Sequence, residues 1–569
     1  MGYTLSAEDF NATFPPDRDK RKDTFEIAFA LAGTVSAGAY TAGVLDYLGE
    51  ALDAWEAAKE RGDEDAPGHR VTIRALAGAS GGALNGAIFL RAAGRTFPRG
   101  ETEDNPFYAS WCGRDCVTIS KLLAPGTSPG AHSEALFNTS AIDQCIAQLL
   151  AFGNHPNPNH PVPAVRGYLA DPLRLVVTMS NLAGTPYRVD LKGNGNTGFE
   201  IWRHDDTARF ALSVPGADAV AGIRPRVDEI ALSSVSPDGW NWLQEAALAT
   251  CAFPIAFDAR PVRRTDKQIA ARATVMPAAG QTPASVAPMV PVWEKLDPWL
   301  QQNATTLMVD GGATNNEPIG AAHVELAGLT GSNPRNVEEA CRAVILVDPF
   351  ATPSAMPKSP TTAADLGRAV VRLLLDQARY RAGDIALAVD DDVYSRFLIG
   401  AGMTGAATPT LASGGLGAFG GFLDRELLKH DFALGRYDAY LFLTRSFRFD
   451  PVNVILANAA TPWTAGQINT YTTGAYIFPG QKPAEIGFLP MIPLMESLRK
   501  NPPKPPPSVP KATLPKGFDD QIAAWLDGLF ERVLAATSFN FVMKAATKGL
   551  WRAGGRSKAR DEILKRIAK

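Results

Sequence analysis

Short, almost unbroken apolar runs recur along the first 350 residues, and helical spacing fills the intervals between them. Runs of this kind predict strands buried on both faces. Phe25–Leu31, Val71–Ala77, Leu173–Met179, Thr306–Val309 and Ala343–Val347 are the candidates. Ala39–Lys59 and Gly81–Ala93 have the pattern of helices. Strands interleaved with helices predict a sheet covered by helices.

The pattern breaks at several places. Asn154–Pro163, with four prolines, predicts a surface loop. Arg263–Asn303, rich in Ala, Pro and Gln, has no steady period and predicts an insertion. The proline-dense Pro502–Pro515 predicts an extended spacer or a stiff surface strap. Phe518–Leu534 follows as an amphipathic helix. These breaks divide the chain into an extension (1–24), a main domain (25–350), a helical and glycine-rich region (351–500), a proline-rich linker (501–517) and carboxy-terminal helices with a basic tail (518–569).

Two uncharged stretches are long enough to test as membrane spans. Ile27–Leu45 is interrupted by Gly33, Thr34, Ser36, Gly38, Thr41 and Gly43, which predicts a strand, a tight loop and a helix start. Phe397–Leu423 contains eight glycines and Pro409, which suits a flexible apolar loop better than a helix. Neither reads as transmembrane.

Composition narrows the class. With 46% hydrophobic and 20% charged residues the chain is globular. Its 56 basic and 59 acidic side chains leave a net charge of −3, so nothing global recruits nucleic acid, and no nucleic-acid-binding module is visible. Five cysteines make no disulfide framework and read as reduced thiols; Cys112 and Cys116 lack the partners of a zinc site. Met1–Lys22 is too polar for a secretory signal, and Met1-Gly2 with Ser6 matches a myristoylation pattern only loosely. The expected location is cytoplasmic or peripheral to a membrane. Asp390-Asp391-Asp392 lacks the spacing of a calcium loop, and no cofactor is expected.

Three segments carry chemistry. Gly78-Ala79-Ser80-Gly81-Gly82 follows a predicted strand and opens a predicted helix. A nucleophilic serine needs such a turn, with small neighbours, to stand clear of the backbone where a helix amino terminus favours an anion. A serine that merely caps a helix fits the same letters. Asp310-Gly311-Gly312 ends another strand; Asp310 is either the base for Ser80 or the start of an Asx turn. The loop from Gly33 through Thr34 and Val35 to Gly38 could turn N–H groups toward a carbonyl oxygen as an oxyanion hole. It lacks the spacing and lysine of a phosphate loop.

In order along the chain, LAGTVSAGAYTAGVL (Leu31–Leu45), AGASGGALNG (Ala77–Gly86), VTMSNLAGTP (Val177–Pro186), ATCAFPIAF (Ala249–Phe257) and DGGATNNEP (Asp310–Pro318) resemble the motifs of the patatin-like phospholipases. Gly421–Leu443 is similar to a segment of some larger bacterial members. The resemblance implies an α/β fold of three layers, α/β/α, with a central, mostly parallel sheet, plus a helical carboxy-terminal extension. It also implies a serine acyl hydrolase acting on lipid esters through a Ser80–Asp310 dyad. The oxyanion would be held by backbone at Gly33, Thr34, Val35 and Gly81, with Gly78, Gly82, Gly311 and Gly312 supporting the turns. The chain departs from the family in the glycine loop: Thr34 and Val35 replace glycines, and Ala37 replaces the basic residue. Positive φ at Val35 would be strained.

Two alternatives stand beside that reading. One is an inactive or weakly active lipid-binding or interaction scaffold. The other is a Ser-His-Asp esterase, with His323 as the histidine. Phe397–Leu423 reads as a lid, an acyl-chain wall or a buried hairpin. The tail Phe541–Lys569 has nine Lys or Arg against Asp561 and Glu562, and reads either as a solvated helix or as a peripheral contact with an anionic bilayer. Arg425, Lys429 and His430 read as a charged helix face. Oligomeric state is left open.

Overall fold

The computed structural model describes residues 3–124, 135–151, 165–189, 199–214, 218–219, 225–233, 237–276, 278, 282–300, 305–350, 392–402, 410–416, 418–536 and 541–567, with scattered positions between 366 and 390. The predicted loop Asn154–Pro163 and residue Asp391 lie outside them.

An eleven-stranded sheet organises the chain. Its central strands are β1 (Phe25–Leu31), β2 (Val71–Gly78) and β3 (Leu169–Val189), followed in the chain by β4 (Phe199–Leu212), β5 (Arg260–Arg263), β6 (Thr305–Asp310), β7 (Arg342–Val347) and β8 (Arg396–Ile399). The spatial order is β8-β7-β1-β2-β3-β6-β5, with β4 also paired to β3. The four junctions from β8 to β3 are parallel, whereas β6 runs antiparallel to β3 and to β5. Every residue of β1, β2 and β7 is buried, the charged Glu26, Arg74 and Arg342 included, as strands covered on both faces must be.

The helices nearest the site are α1 (Gly38–Arg61), α2 (Ser80–Ala92), α3 (Asp238–Thr250), α4 (Ile319–Ala327), α5 (Arg425–Leu441) and α6 (Phe518–Ala536). Leu326, Ala322 and Ile319 of α4 pack on one side of β1, β2 and β7 in a cluster separate from the main core, which gathers α1, α2, α3 and α5. The mostly parallel sheet thus lies between helical layers, as the resemblance implied. The strand expected at Leu173–Met179 is far longer, because β3 continues past an irregularity between Ser180 and Thr185 to pair with β4. Residues 263–303 hold regular elements despite their aperiodic sequence, including an antiparallel ribbon of Ala273–Met276 with Ser285–Pro288.

The region beyond residue 400 is tied into this core. Helix α5 crosses α1 where a Cβ on Gly43 would overlap the Phe432 carbonyl and one on Gly435 would overlap that of Tyr40. Tyr40 donates to Asp438 at 2.9 Å beside this crossing. His430 does not join a charged outer face. It is buried, and its Nε2 bonds the Pro507 carbonyl at 3.1 Å. Thr513 N–H donates to Asp424 at 2.6 Å, so the proline-rich segment runs as a strap along α5. It leads to α6, whose Trp525 donates to the Leu136 carbonyl at 2.6 Å and stacks on Phe137. Among the described residues no helix is long and apolar enough to cross a membrane.

Candidate active site

Strand β2 ends at Gly78, and two residues later Ser80 begins α2 with a φ of 49°. This turn is too tight for larger residues. A Cβ on Gly78 would press into Ala83, and one on Gly82 would overlap the carbonyls of Leu31 and Ala32. The backbone N–H of Ser80 donates to the Thr250 hydroxyl at 2.8 Å, which ties the turn to the end of α3. The side chain of Ser80 therefore stands at the carboxyl end of the sheet, over a helix amino terminus.

Asp310 closes β6, opposite Met179 of β3. Its Oδ2 accepts a hydrogen bond from Ser80 Oγ at 2.6 Å, and its Oδ1 accepts one from Gly312 N–H at 2.7 Å. Ser180 donates its hydroxyl to the Asp310 carbonyl at 2.8 Å, and the Asp310 N–H reaches Ala252 O at 2.9 Å. Gly311 is pressed against Thr178, so a side chain there would displace the strand end. Burial pushes the Asp310 carboxyl up to about 6, while the bonds from Ser80 and Gly312 pull the other way. A carboxylate so placed is ionised at neutral pH yet far more basic than an exposed one.

The glycine loop faces this pair. Of its expected donors, Gly33 is already committed: its N–H bonds Asn316 O at 3.0 Å. Among the described residues the N–H groups of Thr34, Val35 and Gly81 have no protein acceptor. Val35 adopts a φ of 49°, the left-handed region that a β-branched residue disfavours. Thr34 is buried against Gly81, where a Cβ would strike its hydroxyl. The glycine lost at 34 is thus accommodated by the glycine kept at 81.

A narrow cavity of about 60 Å³ opens beside the serine. Ser80, Gly81 and Val35 contribute to its wall with Leu84, Trp111, Ile142, Ile146, Phe253, Phe257 and Phe422, and none of the described side chains lining it is charged. Cys145 and Cys251 also line it. Burial raises both thiols, Cys145 to about 12, so neither supplies a thiolate to compete with the serine. His323 lies on α4, where its ring nitrogens meet Gly331 O and Arg396 Nη2, both at 3.1 Å, rather than the serine or the aspartate. The glycine-rich stretch that ends at Leu423 supplies Phe422 to the cavity wall and sets Phe419 edge-on to Phe253. Thr250, Ser180 and Ser36 fall inside the quoted motifs but were given no role there, because each acts on backbone through a single hydroxyl, which its neighbours in sequence do not reveal.

The Patatin-like phospholipase family profile matches residues 29–323, more than half of the chain. An uncharacterized protein of Sinorhizobium fredii, y4iI, is 31% identical over a match that covers 76% of this chain and 66% of the relative, just under two thirds of its length. The chain belongs to the patatin-like phospholipase family, a family of lipid acyl hydrolases.

Proposed function

We propose that the chain is a serine hydrolase that cleaves fatty-acyl esters of lipids through Ser80 and Asp310. The observation that carries this reading is the 2.6 Å bond from Ser80 Oγ to the buried Asp310 carboxylate beside an apolar cavity. In the proposed reaction Ser80 Oγ attacks the ester carbonyl carbon as Asp310 Oδ2 takes its proton. The oxyanion is held by N–H groups of Thr34, Val35 and Gly81. As the tetrahedral intermediate collapses, the proton passes to the leaving alcohol and an acyl-serine remains. Water, losing its proton to Asp310, then releases the fatty acid and restores the serine. The acyl chain occupies the cavity walled by Leu84, Trp111 and Phe422. Basic side chains in residues 541–567 favour peripheral contact with an anionic lipid surface.

The test treats wild type, Ser80→Ala, Asp310→Asn and His323→Ala with a fluorophosphonate probe and follows turnover of a short-chain aryl ester and a phospholipid. Ser80→Ala and Asp310→Asn should lose about a thousandfold or more in kcat, with His323→Ala close to wild type. A folded wild type that neither labels nor turns over would favour the scaffold reading. Loss of turnover in a folded His323→Ala protein would favour the triad.

A further inference from the structure

The altered glycine loop poses a physical problem. Val35 holds a φ of 49°, and nothing in its own sequence favours that angle as a glycine would. Such backbone persists only where surrounding contacts over-determine it. The contacts lie on the next residue. Ser36 is fully buried, and its N–H donates to Ala418 O at 3.2 Å. Its hydroxyl donates to the same Ala418 carbonyl and accepts from Gly421 N–H at 3.1 Å. One serine thus makes three bonds to one short turn nearly four hundred residues further along the chain.

That turn is itself braced. Leu416 and Ala418 hold positive φ values of 54° and 73°, and Gly420 N–H closes back on Gly415 O at 2.9 Å. The carboxylate of Asp431, fully buried on α5, accepts the N–H groups of Ala412 at 2.7 Å and Ser413 at 2.9 Å. A Cβ on Gly421 would crowd Ser36 Oγ, Leu428 and Ser413, so the approach requires glycine. None of these residues touches the cavity except through Phe422, which follows the turn into its wall. The turn also lies outside the segment that the family profile covers.

We infer that Ser36, gripped by Ala418 and Gly421 and braced by the Asp431 carboxylate that holds Ala412 and Ser413, is a positioning residue that holds the Val35 N–H toward the oxyanion. This rests on the proposed Ser80–Asp310 chemistry. The clamp replaces, with contacts from the extension, the conformational freedom that glycines at positions 34 and 35 would supply. Ser36 reaches the reaction only through the backbone of its neighbour.

The experiment measures kcat, KM and phosphonate labelling of Ser80 for full-length wild type, Ser36→Ala, Val35→Gly, the double variant and Asp431→Asn, with Ser80→Ala and Asp310→Asn alongside. Ser36→Ala should lower kcat and the labelling rate about ten- to a hundredfold, with KM within about threefold, since removing one oxyanion donor outright costs about a hundredfold or more. Val35→Gly should return at least about tenfold of that loss in the double variant, because glycine takes the angle unaided. Asp431→Asn should lower kcat in the same direction and by less, and it decides the matter if Ser36→Ala fails to fold. Unchanged kcat in a folded Ser36→Ala protein, or a loss that Val35→Gly does not relieve, overturns the clamp. Retained turnover in Ser80→Ala or Asp310→Asn would instead overturn the chemistry beneath it.

Discussion

Val35 and Ser80 hold the same left-handed backbone angle, a φ of 49°, on two loops that wall one cavity. Neither is glycine, and each angle costs about 1–3 kcal/mol that the surrounding fold must offset. Ser80→Gly is therefore expected to melt higher than Ser80→Ala, by about 1 kcal/mol in stability, although both lose turnover. Thermal unfolding of the two inactive variants checks this. Equal stability, or the reverse order, would mean the turn is not strained.

Asp310 carries the second prediction. Burial raises its folded carboxyl to about 6 from 3.8, so the folded state favours the protonated form. The stability associated with that proton is complete below pH 3.8 and is lost as pH rises through about 6. Asp310→Asn should therefore be inactive yet more stable than wild type at pH 7, by about 1–3 kcal/mol, with the difference closing by pH 4. In the proposed reaction the same group must be ionised to accept a proton. Turnover should fall on the acid side with an apparent pKa near 6, read from a pH–rate profile on a neutral ester. An acid limb near pH 4 would show that Asp310 is more solvated than its position implies.

Phe422 joins the glycine-rich segment to the cavity wall. Phe422→Ala should enlarge the cavity and cost about 3 kcal/mol in stability. The ratio of kcat/KM for a decanoyl over a butyryl ester should rise about tenfold. If the ratio stays fixed while stability falls, the cavity is not where the acyl chain lies.

The crossing of α1 and α5 leaves no room for side chains at Gly43 or Gly435. Gly435→Ala should destabilise by about 3 kcal/mol, more than a helix-favouring substitution at an exposed glycine, where alanine usually stabilises. Chemical denaturation against an exposed control such as Gly528→Ala would show it, since Gly528 has nothing near an added Cβ. A neutral Gly435→Ala would mean that the helices separate readily.

Much of the sheet was legible because its strands are buried on both faces. The limits of β1 at Phe25 and Leu31 agree with the apolar run to the residue. The far half of β3 was not legible. Beyond Ser180 it mixes exposed Leu182 with polar residues and pairs with β4 across an irregularity, so no unbroken apolar run marks it. The approach of Ser80 to Asp310 was implied by the resemblance to the patatin-like phospholipases, since read alone each residue also fitted a plain helix cap or Asx turn. The grip of Ser36 on Ala418 and Gly421 was not legible, since bonds to backbone place no demand on the partner's side-chain type. His430 looked like a surface charge beside Arg425 and Lys429 because its neighbours are polar. The proline strap that covers it is 77 residues away in sequence.

A protein trimmed to its family-matching portion would keep Ser80 and Asp310 but forfeit the brace behind Ser36, the parallel strands β7 and β8 and the helix seated on Gly43. Grafting this glycine loop into a shorter relative would import a valine with no means of keeping its angle. Minimisation and chimera building must therefore carry residues 342–441 together with the loop, as one inherited part.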